Sequence, residues 1–193
     1  MDTLTQAGQF VIEKARIFTS TGNEIPVEES ILEVNIYEDI YANSIYGELV
    51  VMNTVGLASE GPIIGQEYLS IIISTPTLED PKHKIIFDQN QLHITKVARN
   101  YVGNDTELLT MSFVTSEIIH NQRSVVSKTM VGTYHDMVET LLTKDLKCKK
   151  DLYIEKCNDT KQVITNNRKP FDIISQFTKN ATALTHGMPA FLF

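Results

Sequence analysis

The stretch Ile31-Leu32-Glu33-Val34-Asn35-Ile36-Tyr37-Glu38-Asp39-Ile40 decides the fold class. In an extended chain Leu32, Val34, Ile36 and Ile40 share one face, and Glu33, Asn35, Tyr37 and Asp39 share the other. That two-residue period is the mark of a half-buried strand. The pattern recurs in Glu67–Thr75, where Leu69, Ile71 and Ile73 oppose Ser70, Ile72 and Ser74. It recurs again where Leu109, Met111 and Phe113 alternate with Thr110, Ser112 and Val114. Phe10–Thr19, Ile45–Asn53, Lys84–Phe87 and Leu92–Arg99 are further strand candidates. Turn formers separate them: Thr21-Gly22-Asn23, Gly61-Pro62, Glu79-Asp80-Pro81 and Gly103-Asn104-Asp105. Short strands with no helix between them predict an antiparallel sandwich or barrel, not a doubly wound parallel sheet.

The texture changes after about residue 115. Thr133 is placed to cap a helix running from Tyr134 to about Leu146, with Tyr134, Met137, Val138, Leu141, Leu142 and Leu146 at helical spacing. A second helix is expected to start at Pro170, since proline fits a first helical turn. Its stripe is Phe171, Ile174, Phe177, Ala181 and Leu184. A short strand is expected at Leu152–Glu155 between the two helices. The last residues, Pro189-Ala190-Phe191-Leu192-Phe193, read as the opening of another buried strand. An apolar strand that stops there leaves a pairing edge uncovered, which suggests a chain incomplete relative to its parent fold. The expected fold class is therefore mainly β with an α+β C-terminal part. The first domain, 1–122, is an antiparallel barrel, and 123–193 is an α+β segment that opens a second domain.

Composition narrows the function. The 193 residues suit one full domain and a smaller second one, and 42% hydrophobic with 21% charged residues is ordinary for a globular chain. A net charge of -7 argues against tight nucleic-acid binding and against a polybasic membrane contact. No run approaches the roughly 18 apolar residues of a membrane span. The start Met1-Asp2-Thr3-Leu4-Thr5-Gln6 has neither the basic residues nor the apolar run of a secretory signal, so synthesis in a cytoplasm is expected. Cys148 and Cys157 are too few for a disulfide framework and are expected to be free.

No constellation supports catalysis, metal binding or a cofactor. His83, His93, His120, His135 and His186 share no short ligand spacing, and the cysteines lack a CxxC pairing. Ser116-Glu117 and His120 are close in sequence, but a triad is defined by geometry. Glu28-Glu29 and Glu38-Asp39, if on strands, point their neighbouring acids to opposite faces. Gly61-Pro62-Ile63-Ile64-Gly65 has glycines but no following Lys-Ser/Thr, and reads as a turn, not a phosphate loop. The sequon matches at Asn104, Asn158 and Asn180 lack the secretory context that would give them meaning. Catalytic, cofactor-binding and metal residues are all expected to be none. Charge, by contrast, is uneven. Glu28 to Glu60 holds seven acids and no Lys or Arg, while Lys144 to Lys169 holds eight basic residues against four acids. Such asymmetry offers complementary potentials for assembly.

Several phrases, in order along nearly the whole chain, resemble the baseplate central hub proteins of contractile-tailed phages. The first is Asn35-Ile36-Tyr37-Glu38-Asp39-Ile40, followed by Tyr46-Gly47-Glu48-Leu49-Val50-Val51. The second and most distinctive is Gly61-Pro62-Ile63-Ile64-Gly65-Gln66-Glu67-Tyr68-Leu69, leading through Ile71 and Ile73 to Thr75-Pro76. The third is Ser116-Glu117, then Asn121, then Val126-Ser127-Lys128 and Gly132. The fourth is Pro170-Phe171-Asp172-Ile173-Ile174, running to Ala181 and then Phe191-Leu192-Phe193.

The resemblance implies a tail-tube-like barrel followed by the start of a second, truncated barrel-type domain with two helices. It implies a homotrimeric ring that joins the tail tube or its initiator proteins above to a spike protein below, among other baseplate proteins. The lumen of that ring passes DNA. Related spike proteins of secretion systems carry a similar barrel pair in their N-terminal part. The implied location is the virion, in the tail baseplate, after synthesis in the host bacterial cytoplasm. No enzymatic activity, cofactor, specific nucleic-acid binding or membrane insertion is implied. Part of the acidic run Glu28–Glu60 is expected to face the channel, where cations would hold DNA back. A carbohydrate- or receptor-binding β-sandwich of a phage tail is the alternative, weakened by the absence of Trp. A tail-associated hydrolase ranks third, for want of a convergent acid pair or triad.

Overall fold

A computed structural model describes residues 9–53, 63–75, 84–102, 106–158 and 160–184. The expected turns at Gly61-Pro62, Glu79-Asp80-Pro81 and Gly103-Asn104-Asp105, and the expected strand at Pro189–Phe193, lie outside these residues. The chain divides into two compact units, one of Met1–Tyr37 with Tyr46–Thr115 and the other of Glu38–Ile45 with Ser116–Phe193. The expected class, mainly antiparallel β with an α+β C-terminal part, is what the molecule adopts.

The first unit is built from strands β1 (Val11–Phe18), β2 (Glu24–Pro26), β3 (Ile31–Tyr37), β4 (Tyr46–Met52), β5 (Tyr68–Ser74), β6 (Ile85–Val102) and β7 (Thr106–Thr115). They form a single antiparallel sheet in the order β2-β1-β5-β6-β7-β4-β3. Its outermost strands, β2 and β3, are consecutive in sequence, joined only by Val27 and the one-turn helix Glu28–Ser30. In a flat sheet these strands would stand six spacings apart, about 29 Å. The link from Pro26 to Ile31 reaches at most about 18 Å. The sheet is therefore curled, with its open seam between β2 and β3. Val27 closes the inner side of that seam: it is 1% exposed, and its N–H donates to the Ala15 carbonyl at 3.0 Å. On the outer side Arg16 pairs with Glu24 at 3.6 Å and with Glu28 at 3.1 Å.

Inside the curl the alternation delivers its core, with Ala15, Ile17, Leu49, Val51, Leu69, Ile71, Leu92, Ile94, Leu109, Met111 and Phe113 all nearly inaccessible. Two departures have local causes. Lys84–Phe87 and Leu92–Arg99 were expected as separate strands, but β6 runs unbroken through both. Its pairing with β5 jumps from Ile71↔Phe87 to Leu69↔Leu92, two positions on β5 against five on β6. The polar insert between them is accommodated as a bulge, and Asp88 from it accepts a hydrogen bond from the Ser70 hydroxyl at 3.1 Å. The second departure is β3, the clearest alternating stretch, which proves to be the edge strand. Its register with β4 slips between Ile31 and Glu33, so Leu32 becomes the extra residue of a bulge and is 54% exposed.

The second unit holds helices α1 (Ser116–Arg123), α2 (Tyr134–Thr140) and α3 (Pro170–Asn180), with a two-stranded antiparallel ribbon of β8 (Thr129–Thr133) and β9 (Thr160–Ile164). Thr133 caps α2 as expected, its hydroxyl accepting from the Asp136 N–H at 3.3 Å. The helix then widens into a π turn over Leu141–Asp145, where the Leu146 N–H reaches back to the Leu141 carbonyl at 2.9 Å. Tyr134, Met137, Val138, Leu141 and Leu146 pack with Phe171, Ile174 and Phe177 of α3 in one core. Leu184 departs from the stripe, because α3 stops at Asn180 and leaves it 53% exposed. The strand expected at Leu152–Glu155 is an extended segment without a ladder. Leu152 and Ile154 are half-buried while Tyr153 is 96% exposed. The strand falls instead at β9, where only Val163 packs against the core and no alternation announces it. Among the described residues no helix is long and apolar enough to cross a membrane.

Gly47 is fixed by its neighbours. It pairs with Ile36 on β3 and Phe113 on β7, and a Cβ there would lie 2.2 Å from the Asn35 carbonyl and 2.4 Å from the Phe113 ring. Backbone and a core aromatic cannot both yield. Gly47→Ala is expected to lower unfolding stability by about 1–3 kcal/mol, read as a shifted midpoint in urea denaturation.

Candidate functional site

The phrases that looked most distinctive in sequence form structural ties. In Ile63-Ile64-Gly65-Gln66-Glu67, the Glu67 side chain is fully buried and folds back over its own turn. Its carboxylate accepts from the N–H groups of Ile64 at 2.9 Å, Gly65 at 2.8 Å and Gln66 at 3.0 Å. Its backbone carbonyl accepts from the Ile94 N–H at 2.9 Å, fastening the turn to β6. Gly65 sits at φ +89°, with the Thr95 carbonyl 3.3 Å from where a Cβ would be. Only glycine adopts that backbone beside that wall without strain.

The third and fourth phrases meet in space. Asn121 on α1 is buried, and its side-chain oxygen accepts from the Phe171 N–H at 2.9 Å, supplying an acceptor to the first turn of α3. Glu117, also buried, takes the Lys150 ammonium at 3.1 Å. The Ser127 hydroxyl accepts from the Asn167 N–H at 2.9 Å, and the Thr165 hydroxyl bridges the Lys128 N–H and carbonyl at 3.1 and 2.9 Å.

These ties account for the residues weighed as catalysts. Ser116 and His120 stand four apart on α1, but the carboxylate between them in sequence is held by Lys150. Burial, with the Lys147 charge nearby, lowers the His120 pKa below the usual histidine range. Glu28-Glu29 lies in a helical turn and Glu38-Asp39 in the hairpin loop, not on strands as supposed. Glu28 serves Arg16, and Asp39 accepts from the Tyr41 N–H at 2.9 Å. Cys148 and Cys157 form no disulfide, and burial raises the Cys148 thiol pKa. Among the described residues no three His, Cys, Asp or Glu side chains group as metal ligands; His83 and His186 lie outside them. A cleft of about 350 Å³ opens between α2, α3 and the segment at Leu152–Glu155, walled by Tyr134, Val138, Leu142, Leu152, Ile154 and Phe177. At its margin His135 accepts from the Cys157 N–H through Nδ1 at 3.1 Å, which fixes the ring as a structural acceptor. Three separate segments make these walls, so sequence gave no sign of the cleft.

The outer face of the barrel carries a different kind of site. Register places Phe18, Tyr68, His93, Val114, Tyr46 and Tyr37 side by side across β1, β5, β6, β7, β4 and β3. Each alternates with a core residue, so the row lies outside. Tyr37 and Tyr46 stack at 5.1 Å and remain 45% and 48% exposed, and Tyr68 meets the His93 ring at 4.3 Å. The next row on the same face runs Asn35, Glu48, Ser112 and Lys96. Exposed aromatics beside charge are typical of a protein-binding face. Along the chain these residues lie far apart, and the row exists only once register is set.

Comparison with solved structures meets this geometry. A tail protein from Neisseria meningitidis MC58 matches with a TM-score of 0.55 at 11% sequence identity, covering 86% of this chain and 44% of that one. The fold is shared with tail proteins. The 43 kDa tail protein of prophage MuSo2 from Shewanella oneidensis matches at a TM-score of 0.53 and 10% identity, covering 86% and 48%. The chain thus spans about half the length of the tail proteins it matches. No protein-family model and no curated protein matches the sequence.

In this tail-protein fold the Glu67 turn is a test of what the distinctive phrase does. Glu67→Gln keeps the volume but replaces one accepting oxygen with a donor, stranding a buried amide. It is expected to cost about 1–3 kcal/mol. The exposed control Glu48→Gln should stay within about 0.5 kcal/mol, both read by chemical denaturation.

Proposed function

We propose that the chain is a structural subunit of a phage tail baseplate hub. Three copies close a ring that joins the tail tube or its initiator above to the spike below, beside other baseplate proteins, and DNA passes through its lumen. The protein acts in the virion after synthesis in the host bacterial cytoplasm, and its work is geometric, not catalytic. The observation that carries this reading is the tail-protein fold.

Two further features support it. The ordered side chains of the hub-like phrases are spent on holding turns and helix ends, which suits a rigid part. The exposed aromatic row gives that part a face for assembly. A rigid subunit with unlike sticky surfaces closes a ring by cyclic symmetry. The net charge of -7 supplies little cationic affinity to retard DNA in the lumen.

Particle imaging and native mass measurement test the proposal. Purified tails should show a threefold ring at the base of the tube, with density for the curled sheet, and the isolated chain should give a trimer mass. A chain that stays monomeric at high concentration and is missing from purified tails would count against it.

A further inference from the structure

We infer that the ring contact, in the hub reading proposed above, joins the acidic edge of the barrel in one copy to the basic β8–β9 ribbon in the next. Both surfaces are unfinished. On the barrel, β3 ends the sheet and, among the described residues, pairs with β4 alone. Leu32 and Tyr37 of β3 and Tyr46 of β4 are each about half exposed along that edge. In the second unit the ribbon has two strands and, among the described residues, no third. A two-stranded ribbon is marginal in water unless something covers it. Its outer face presents Val131 at 69% exposure and Ile164 at 73%, diagonal neighbours across the ladder.

Charge selects the pairing. The barrel edge lies in the stretch from Glu28 to Glu60, which has seven acids and no Lys or Arg, and Glu33 of β3 and Glu48 of β4 are exposed there. Strand β9 of the ribbon lies in the opposite stretch, where Lys144, Lys147, Lys149, Lys156, Lys161 and Lys169 are exposed. Beside β8 a shallow groove of about 310 Å³ is lined by Thr129–Val131, Asp136 and Lys144, with Lys128 at its margin paired to Asp145 at 2.8 Å. An acidic, apolar sheet edge is the complement of an apolar ribbon flanked by the exposed Lys144 and Lys161, and edge addition is a common mode of recognition. Each surface repels its own kind, so the favoured contact is between unlike surfaces of identical copies. Such a heterologous contact generates rings where the rotation closes.

Charge exchange on the full chain tests the contact. Glu33→Lys with Glu48→Lys, or Lys144→Glu with Lys161→Glu, should each weaken self-association about tenfold or more, measured by sedimentation. All four positions are exposed, and unchanged thermal midpoints would show that the fold is kept. A chain carrying all four substitutions restores opposite signs across the contact and should associate within about threefold of the native chain. Unaltered association in either double variant overturns the inference, as does failure of the fourfold variant to recover. Normal rings that pass DNA more slowly when Glu33 and Glu48 are lysines would also overturn it, returning those acids to the channel. A native chain that associates by this contact yet is absent from tails would instead remove the hub reading and leave the contact standing.

Discussion

The short link between β2 and β3 is the constraint on which the first unit depends. Five residue steps must connect the two ends of a seven-stranded sheet, and no flat or gently twisted sheet allows that. Curling brings the inward residues of β1, β5, β6, β7 and β4 to face one another, so a single sheet encloses its own core. The link is also the one place where closure cannot be made by a ladder. Val27, buried there and hydrogen-bonded to Ala15, and Arg16, held between Glu24 and Glu28, do that work with side chains. The outer face then follows from register. Once the seven strands are locked, Tyr37, Tyr46, Val114, His93, Tyr68 and Phe18 must share a row.

Much of this was legible in the sequence where burial is one-sided. β4, β5, β7 and the apolar stripes of α2 and α3 read correctly because each presents one apolar face to a core and one face elsewhere. The misreadings share a cause: the residue types reported something other than burial. The polar residues between Phe87 and Leu92 interrupt the apolar pattern, which split one strand into two candidates, and they are a bulge within β6. β9 shows no apolar alternation, because its pairing with β8 comes from backbone groups and only Val163 packs against the core while Ile164 is exposed. α1 was missed because the positions it buries are Glu117 and Asn121, which a hydrophobic pattern cannot report. β3 shows the converse. Its alternation is clear, yet it is an edge strand whose Leu32 bulges outward.

The same distinction explains why the motifs led to a fold and not to a reaction. A buried polar side chain must find partners, and Glu67, Glu117 and Asn121 find them in three backbone amides, a lysine and a helix end. Each tie gives its polar group a structural task. Polar residues that seem chosen for catalysis when read in a line are here committed to holding main chain in place.

The edges carry the last step. An open sheet edge invites any extended chain, and soluble proteins ordinarily blunt such edges with bulges, charges or very short strands. This barrel has all three at its seam: β2 is three residues long, Leu32 bulges out of β3, and Glu33 stands exposed beside it. Acids on an edge do not close it to every partner; they close it to acidic and neutral ones and leave it open to a basic one. The protection against aggregation and the choice of partner are then one device. The sign of the charge at the seam excludes self-pairing of like edges, and a basic ribbon elsewhere in the same sequence makes an identical copy an eligible neighbour.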